Sequence, residues 1–267
     1  MSDANATPTT PPADRPVRRP KPQLELEVID RRSVSPHLVR VTLGGEGFDA
    51  FEDRPETDKY VKLHFTQPAG DVVRRTYTVR SVDHDRRVID IDFVIHGDEG
   101  IAGPWAARVE PGATITIAGP GGGYAPNPDA DWYLFAGDLA GLPAIAAALE
   151  ALPADAVGTA LIEADTVDDV IALTAPAGVE VRWLTGDEPS TDRLADVIRS
   201  LDWAEGHVDV FAHGERESMK VLRRHLFDER GLERAQVSLS GYWARGRTED
   251  RFQAEKREPI GQIFPEG

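Results

Sequence analysis

The sequence contains no cysteine. Disulfides, thiol nucleophiles, iron–sulfur ligation and cysteine-bound zinc are therefore excluded. Long apolar runs are missing as well. A secretory signal needs an apolar centre behind its positive residues, and a membrane span needs about 20 mostly apolar residues, so neither is expected and a cytoplasmic location is. Basic residues are outnumbered, 30 against 46 acidic ones, which leaves a net charge of −16. That balance repels nucleic acid and anionic membrane surfaces, and the basic clusters, such as Arg74-Arg75 and Arg223-Arg224, are short. Ser-His-Asp and metal-ligand constellations are also missing, so neither a side-chain nucleophile nor a protein-held metal is expected.

What remains is an ordinary globular composition, 40% hydrophobic and 28% charged over 267 residues, enough for two compact domains. Residues 1–22 are rich in Pro, Thr and Asp, then basic, and read as a disordered tail. From Leu24 to about Pro120 the chain alternates apolar and polar residues with period two, as in Leu24, Leu26 and Val28, or Ile89, Ile91, Phe93 and Ile95. Many short strands punctuated by Gly and Pro, with no long helix between them, predict an antiparallel β-barrel. After Pro126-Asn127-Pro128 the pattern changes. Strand candidates at Trp132–Ala136, Ala160–Ala164, Val179–Leu184, Val208–Ala212 and Gln236–Ser240 are interleaved with runs of helical period. Leu142, Ile145, Leu149 and Leu152 share one helix face, Leu194, Val197, Ile198 and Leu201 a second behind Ser190 and Thr191, and Met219, Leu222 and Leu226 a third. Strand–helix alternation predicts a parallel, Rossmann-like sheet with right-handed crossovers. The expected organisation is a tail (1–22), a β-barrel domain (23–128), an α/β domain (129–246) and a C-terminal extension (247–267). A monomer is expected.

Two segments carry chemistry. In Arg74-Arg75-Thr76-Tyr77-Thr78-Val79-Arg80 a strand puts Arg75 and Tyr77 on one face and Thr78 on the other. A guanidinium, a flat ring and a hydroxyl together suit a phosphate, a planar ring system and a heteroatom; cross-strand surface pairing is the competing reading. The segment His96 to Ala106 follows a strand and is Gly-rich where a short helix can begin, a setting whose N–H groups and dipole favour a diphosphate.

Taken in order, Arg75-Thr76-Tyr77-Thr78, His96-Gly97, Gly103-Pro104-Trp105-Ala106, Gly119-Pro120, Gly137-Asp138, Leu142-Pro143-Ala144-Ile145, Glu163, Gly214-Glu215 and Gly241-Tyr242-Trp243 resemble the siderophore-interacting protein family. That family belongs to the ferredoxin-reductase-like flavoproteins. The resemblance runs from about Leu24 to Gly246. It implies an FAD-binding antiparallel barrel followed by a Rossmann-like nucleotide-binding domain, and an FAD-dependent oxidoreductase that reduces Fe(III) in ferric siderophores with electrons from NADH or NADPH.

By that resemblance Arg75 pairs with the FAD diphosphate, Tyr77 stacks on the isoalloxazine and Thr78 bonds near the flavin N5 edge. His96, Gly97, Gly103, Trp105 and Ala106 hold the diphosphate and adenosine end. Asp138, Glu163, Gly214 and Glu215, at strand ends of the second half, face the nicotinamide nucleotide, with Glu163 the acceptor for ribose hydroxyls; helix capping is the competing reading for these acids. Trp243 either packs over the flavin or fills a domain interface. Lys62, Arg245 and Arg247 are the candidate contacts to an anionic ferric siderophore, with solvated strand surface the competing reading for Lys62. The turn Gly137-Asp138-Leu139-Ala140-Gly141 departs from relatives, which place an acidic and a hydroxyl residue after Gly-Asp. A ferredoxin-like protein is therefore an alternative electron donor, and a siderophore-binding protein without catalysis a second alternative.

Overall fold

The computed structural model describes residues 23–67, 69–97, 100–186 and 190–264; the expected N-terminal tail lies outside them. The first half forms β1 (Gln23–Ser35), β2 (Leu38–Gly44), β3 (Tyr60–Thr66), β4 (Val72–Asp83), β5 (Val88–Val94), a short helix α1 (Ala102–Arg108) and β6 (Thr114–Gly121). These strands close into a barrel in the order β1-β2-β5-β4-β3-β6, with every pairing antiparallel. Alternation makes the barrel: Leu24, Leu26 and Val28 on β1, and Val61, Leu63 and Phe65 on β3, point inward and are buried. Each such side chain contributes about 2 kcal/mol when fully buried. β5 departs from strict alternation because Asp92 is buried too, its carboxylate taken by the Arg40 guanidinium at 2.6 and 2.8 Å.

The second half forms β7 (Trp132–Gly137), α2 (Leu142–Ala151), β8 (Val157–Ala164), β9 (Gly178–Thr185), α3 (Arg193–Arg199), β10 (Val208–Glu215), α4 (Arg216–Arg223), β11 (Val237–Trp243) and α5 (Glu249–Glu255). The sheet is parallel, in the order β11-β10-β7-β8-β9. Successive residues of the central strand β7 feed opposite layers. Tyr133 and Phe135 pack with Leu142, Ile145 and Leu149 of α2, while Leu134 and Ala136 pack with Leu194 and Ile198 of α3 and Met219 and Leu222 of α4. The helix-period runs read from the sequence are these three helices, and Ser190 Oγ accepts from the N–H groups of Asp192 and Arg193 at the start of α3.

The last barrel strand ends at Gly121 and the parallel sheet starts at Trp132. Between them Tyr124 donates its hydroxyl to Asp209 at 3.0 Å and Asn127 its N–H to the same carboxylate at 2.9 Å. Barrel residues Leu38, Val34 and Val94 join the α2 layer, so apolar packing runs from one half into the other. From β7 the chain moves outward through β8 and β9, then returns to the opposite side of β7 with β10. That reversal puts a switch point at the carboxyl ends of β7 and β10, where open α/β sheets bind ligands.

Candidate functional site

A cleft of about 500 Å³ opens at that switch point, between the parallel sheet and strands β3 to β5 of the barrel. Its volume is ordinary for a cofactor or substrate site. Tyr77, Thr78, His96, Asp138, Glu163, Glu215, Trp243, Lys62 and Arg245 all line it, so residues read from both halves of the sequence meet in one place.

On the barrel side, the Tyr77 ring packs 4.3 Å from the Phe93 centroid and contributes to the cleft wall. Burial raises its phenol pKa, with the Glu249 charge acting the same way, and keeps the ring neutral. Thr78 is 7% exposed and lines the cleft together with Tyr242. Arg75, two residues along β4, donates to both carboxylate oxygens of Asp250 on α5 at 2.9 and 3.3 Å. His96 sits with its ring 6.5 Å from Trp243. Gly97 lies in the turn before α1, and a Cβ at Gly103 would stand 3.3 Å from the Val94 carbonyl, so glycine lets α1 settle against β5. Asp98 and Glu99 lie outside the described residues. A buried hydroxyl, a neutral aromatic face and a guanidinium on one strand fit a planar cofactor that carries phosphates, and the donor set suits FAD.

At Trp105 and Ala106, where the sequence reading assigns backbone N–H groups to the cofactor, the side chains pack inward. Trp105 packs at 5.5 Å from Phe65 and 5.6 Å from Phe93, and Ala106 is fully buried; both face the barrel core, because α1 turns its apolar side inward.

The acids of the sheet side divide by what already holds them. The Asp138 carboxylate takes four donors: the N–H groups of Ala140, Gly141 and Glu215 at 2.9, 3.1 and 2.9 Å, and the Trp243 indole at 2.7 Å. It ties β7 to β10 and β11, and is a structural cap, not a free nucleotide acceptor. Gly214 is required beside it, since a Cβ there would lie 2.9 Å from Asp138 Oδ2. Glu215 caps α4 through the N–H groups of Glu217 and Ser218 at 2.6 and 3.0 Å and also accepts from the Arg245 N–H at 3.0 Å. Helix capping thus accounts for Glu215 and a tie between strands for Asp138, which also holds Trp243 within the cleft wall.

Glu163 is different. Its Oε1 is buried without a hydrogen-bond partner, and Arg193 stands 3.9 Å away. Burial pushes its pKa up to about 7; Asp138 and Asp165 add to the rise, while Arg193 and Arg245 oppose it. Lys62 and Arg245 line the same cleft, but Arg247 does not. Its guanidinium is bound to Glu255 at 2.8 Å and anchors α5. Gly186 lines the cleft, and Asp187 lies outside the described residues.

Sequence reasoning missed Arg193, the α5 residues Glu249 and Gln253, and Lys256 at the C-terminal cap of α5, all cleft-lining. Spacings of four and three residues in an extension with no strand pattern were the available signal for α5.

A six-stranded antiparallel barrel joined to a parallel sheet, with the cleft at their junction, defines a ferredoxin-reductase-like fold. A ferredoxin NADP+ reductase from Neisseria gonorrhoeae shares it at 14% identity and a TM-score of 0.65, over 83% of this chain and 99% of that one. Within that class the chain belongs to the siderophore-interacting protein family: the siderophore-interacting FAD-binding domain matches residues 27–74 and 70–124, and the siderophore-interacting protein model matches residues 130–246. An uncharacterized protein of Mycobacterium tuberculosis, Rv2895c, is 45% identical over 271 residues, covering 89% of this chain and 96% of that one. Ferric vibriobactin reductase ViuB of Vibrio cholerae is 31% identical over 272 residues, covering 93% and 98%. The crystal structure of a siderophore utilization protein from T. fusca superposes with a TM-score of 0.78 at 36% identity, over 86% and 95% of the two chains.

Proposed function

We propose that this chain is an FAD-dependent ferric-siderophore reductase that draws electrons from NADH or NADPH. The observation that carries the reading is the convergence in one cleft of Tyr77 and Thr78 from the barrel, the Glu163 carboxylate from the sheet, with one oxygen lacking a hydrogen bond, and the cations Lys62 and Arg245. Bound flavin would supply the change from two-electron to one-electron chemistry, so that one NAD(P)H yields two electrons and a proton for two ferric ions. The chain does the rest. Arg75, Tyr77 and Thr78 hold and orient the cofactor, with residues 23–128 as its domain and residues 129–246 as the nucleotide domain. Lys62 and Arg245 draw in the anionic chelate against a net charge of −16. Ferrous iron binds hard oxygen donors far more weakly than ferric iron, so reduction releases the metal. Among the described residues no helix is long and apolar enough to cross a membrane, and we place the reaction in the cytoplasm.

Glu163 gives the nucleotide half a pH signature. With its pKa near 7, the carboxyl is largely neutral at pH 6 and ionised at pH 8. An ionised Glu163 accepts from ribose hydroxyls and repels a 2′-phosphate. NADPH affinity should therefore fall about fivefold relative to NADH between pH 6 and pH 8, and Glu163→Gln should flatten that change. Dissociation constants for both nucleotides at the two pH values check this; a ratio independent of pH in the parent would remove Glu163 from the nucleotide site.

Leu139 favours a second donor. It is 5% exposed and lines the cleft with an apolar side chain at the turn where the family resemblance implies an acid, so a polar contact to a nucleotide is lost and a ferredoxin-like donor is favoured. Turnover assays with a ferric tris-catecholate and a ferrous-specific chromogenic chelator test the whole reading. Colour development with NADH, NADPH or reduced ferredoxin supports it and identifies the donor; none with all three would leave only siderophore binding.

A further inference from the structure

The cleft has a wall that neither matching domain model covers, since the models end at residue 246 and α5 begins at Glu249. Glu249, Gln253 and Lys256 recur at intervals of four and three, so one face of α5 is turned to the cleft. The adjoining side of the helix is fixed. Phe252 is 2% exposed, and the buried Glu255 carboxylate takes Arg216 at 2.6 Å, Arg247 at 2.8 Å and Arg251 at 2.8 Å. At the other end of the helix Asp250 is held by Arg75. Lys256 is thus presented to the cleft by a helix pinned at both ends.

Charge pairing separates the lysines. Lys59 and Lys220 each meet a carboxylate, at 2.8 and 3.1 Å. Lys62 and Lys256 both line the cleft, and among the described residues neither has a carboxylate within 4.0 Å. The Lys256 ammonium lies 4.6 Å from the Phe252 ring centroid, a contact that leaves its charge uncompensated. Desolvation lowers its pKa, Lys62 pushes the same way, and Glu249 on its own helix face opposes both. Two cations without a salt bridge, lining one cleft of a strongly acidic chain, make a site for an anion.

We infer that Lys256 is a second substrate-contacting cation, acting with Lys62 on the negatively charged ligand oxygens of the ferric chelate and selecting anionic over neutral complexes. The inference rests on the proposed function. The FAD-loaded full-length chain is titrated with iron(III) tris-catecholate, which is anionic, and with a neutral ferric trihydroxamate, each at 50 and 200 mM salt. Lys256→Met keeps the stem against Phe252 and removes the charge; Arg257→Ala, next along the chain on exposed surface, is the control. The expected result is a roughly fivefold loss of tris-catecholate affinity in Lys256→Met, a flatter salt dependence and a lower preference for the anionic chelate, with Lys256→Arg restoring most of it and Arg257→Ala matching the parent. Lys256→Met with the parent's preference and salt dependence would overturn the inference alone. A parent that binds neither chelate would overturn the proposed function beneath it.

Discussion

Replacing Arg75 by alanine is expected to weaken FAD binding by roughly a hundredfold, while replacing its ion-pair partner, Asp250→Ala, leaves the protein able to hold the cofactor. A guanidinium fork on a diphosphate makes paired charge-assisted hydrogen bonds, each worth about 1.5–3 kcal/mol. A loss of about 3 kcal/mol corresponds to that hundredfold. The control matters because Arg75 also donates to both oxygens of Asp250, and both substitutions break that contact. Only Arg75→Ala would remove the proposed phosphate partner. Fluorescence titration of FAD into the two cofactor-stripped variants separates the roles. Equal weakening in both would make the ion pair, and not the phosphate contact, the function of Arg75.

Asp169→Ala is expected to destabilise the fold by about 3 kcal/mol, the scale for removing one partner from a buried charged cluster. Asp169 is fully buried after β8 and binds the β1–β2 turn of the barrel: Ser35 Oγ donates at 2.7 Å, the His37 N–H at 3.0 Å, and His37 Nδ1 lies 2.7 Å from its other oxygen. Thr166 Oγ1 adds a fourth contact at 2.8 Å. The residue therefore clamps one half of the molecule to the other. Although desolvation acts against it, the donors from His37, Ser35 and Thr166 bring its pKa down to about 2, from an ordinary 3.8. A carboxyl whose folded pKa lies below its unfolded one stabilises fully above the unfolded value and loses that contribution as pH falls through the folded one. The parent should lose stability more steeply than Asp169→Ala between pH 4 and pH 2. Urea melts at pH 7 and across that range measure both effects, and a variant within about 0.5 kcal/mol of the parent would show that the clamp carries no load.

The parts legible in the sequence were those set by local periodicity. Alternation along β1 and β3 gave the barrel because one face of each strand is buried, and the faces of α2, α3 and α4 gave the layers of the parallel sheet. Tyr77, Thr78, Glu163, Lys62 and Arg245 were placed in order along the chain and do share one cleft. Residue identity could not reveal how each carboxylate is used. Asp138 and Glu163 both end parallel strands, yet Asp138 receives donors from three segments, two of them far along the chain, and Glu163 leaves an oxygen unpartnered. Nor could residue identity reveal that the Trp105 side chain packs on Phe93 or that the Arg247 guanidinium is held by Glu255. The clamp from His37 to Asp169 spans 132 residues and has no local signature.

The visible spectrum of the purified protein during anaerobic titration tests the central claim most directly. The protein should purify yellow or become so with added FAD, bleach on addition of NADH, NADPH or reduced ferredoxin, and regain its colour when two equivalents of iron(III) tris-catecholate are added per flavin, with ferrous iron appearing in the same amount. A protein that stays colourless in the presence of FAD, or whose bleached form is not recoloured by the ferric chelate, would contradict the account.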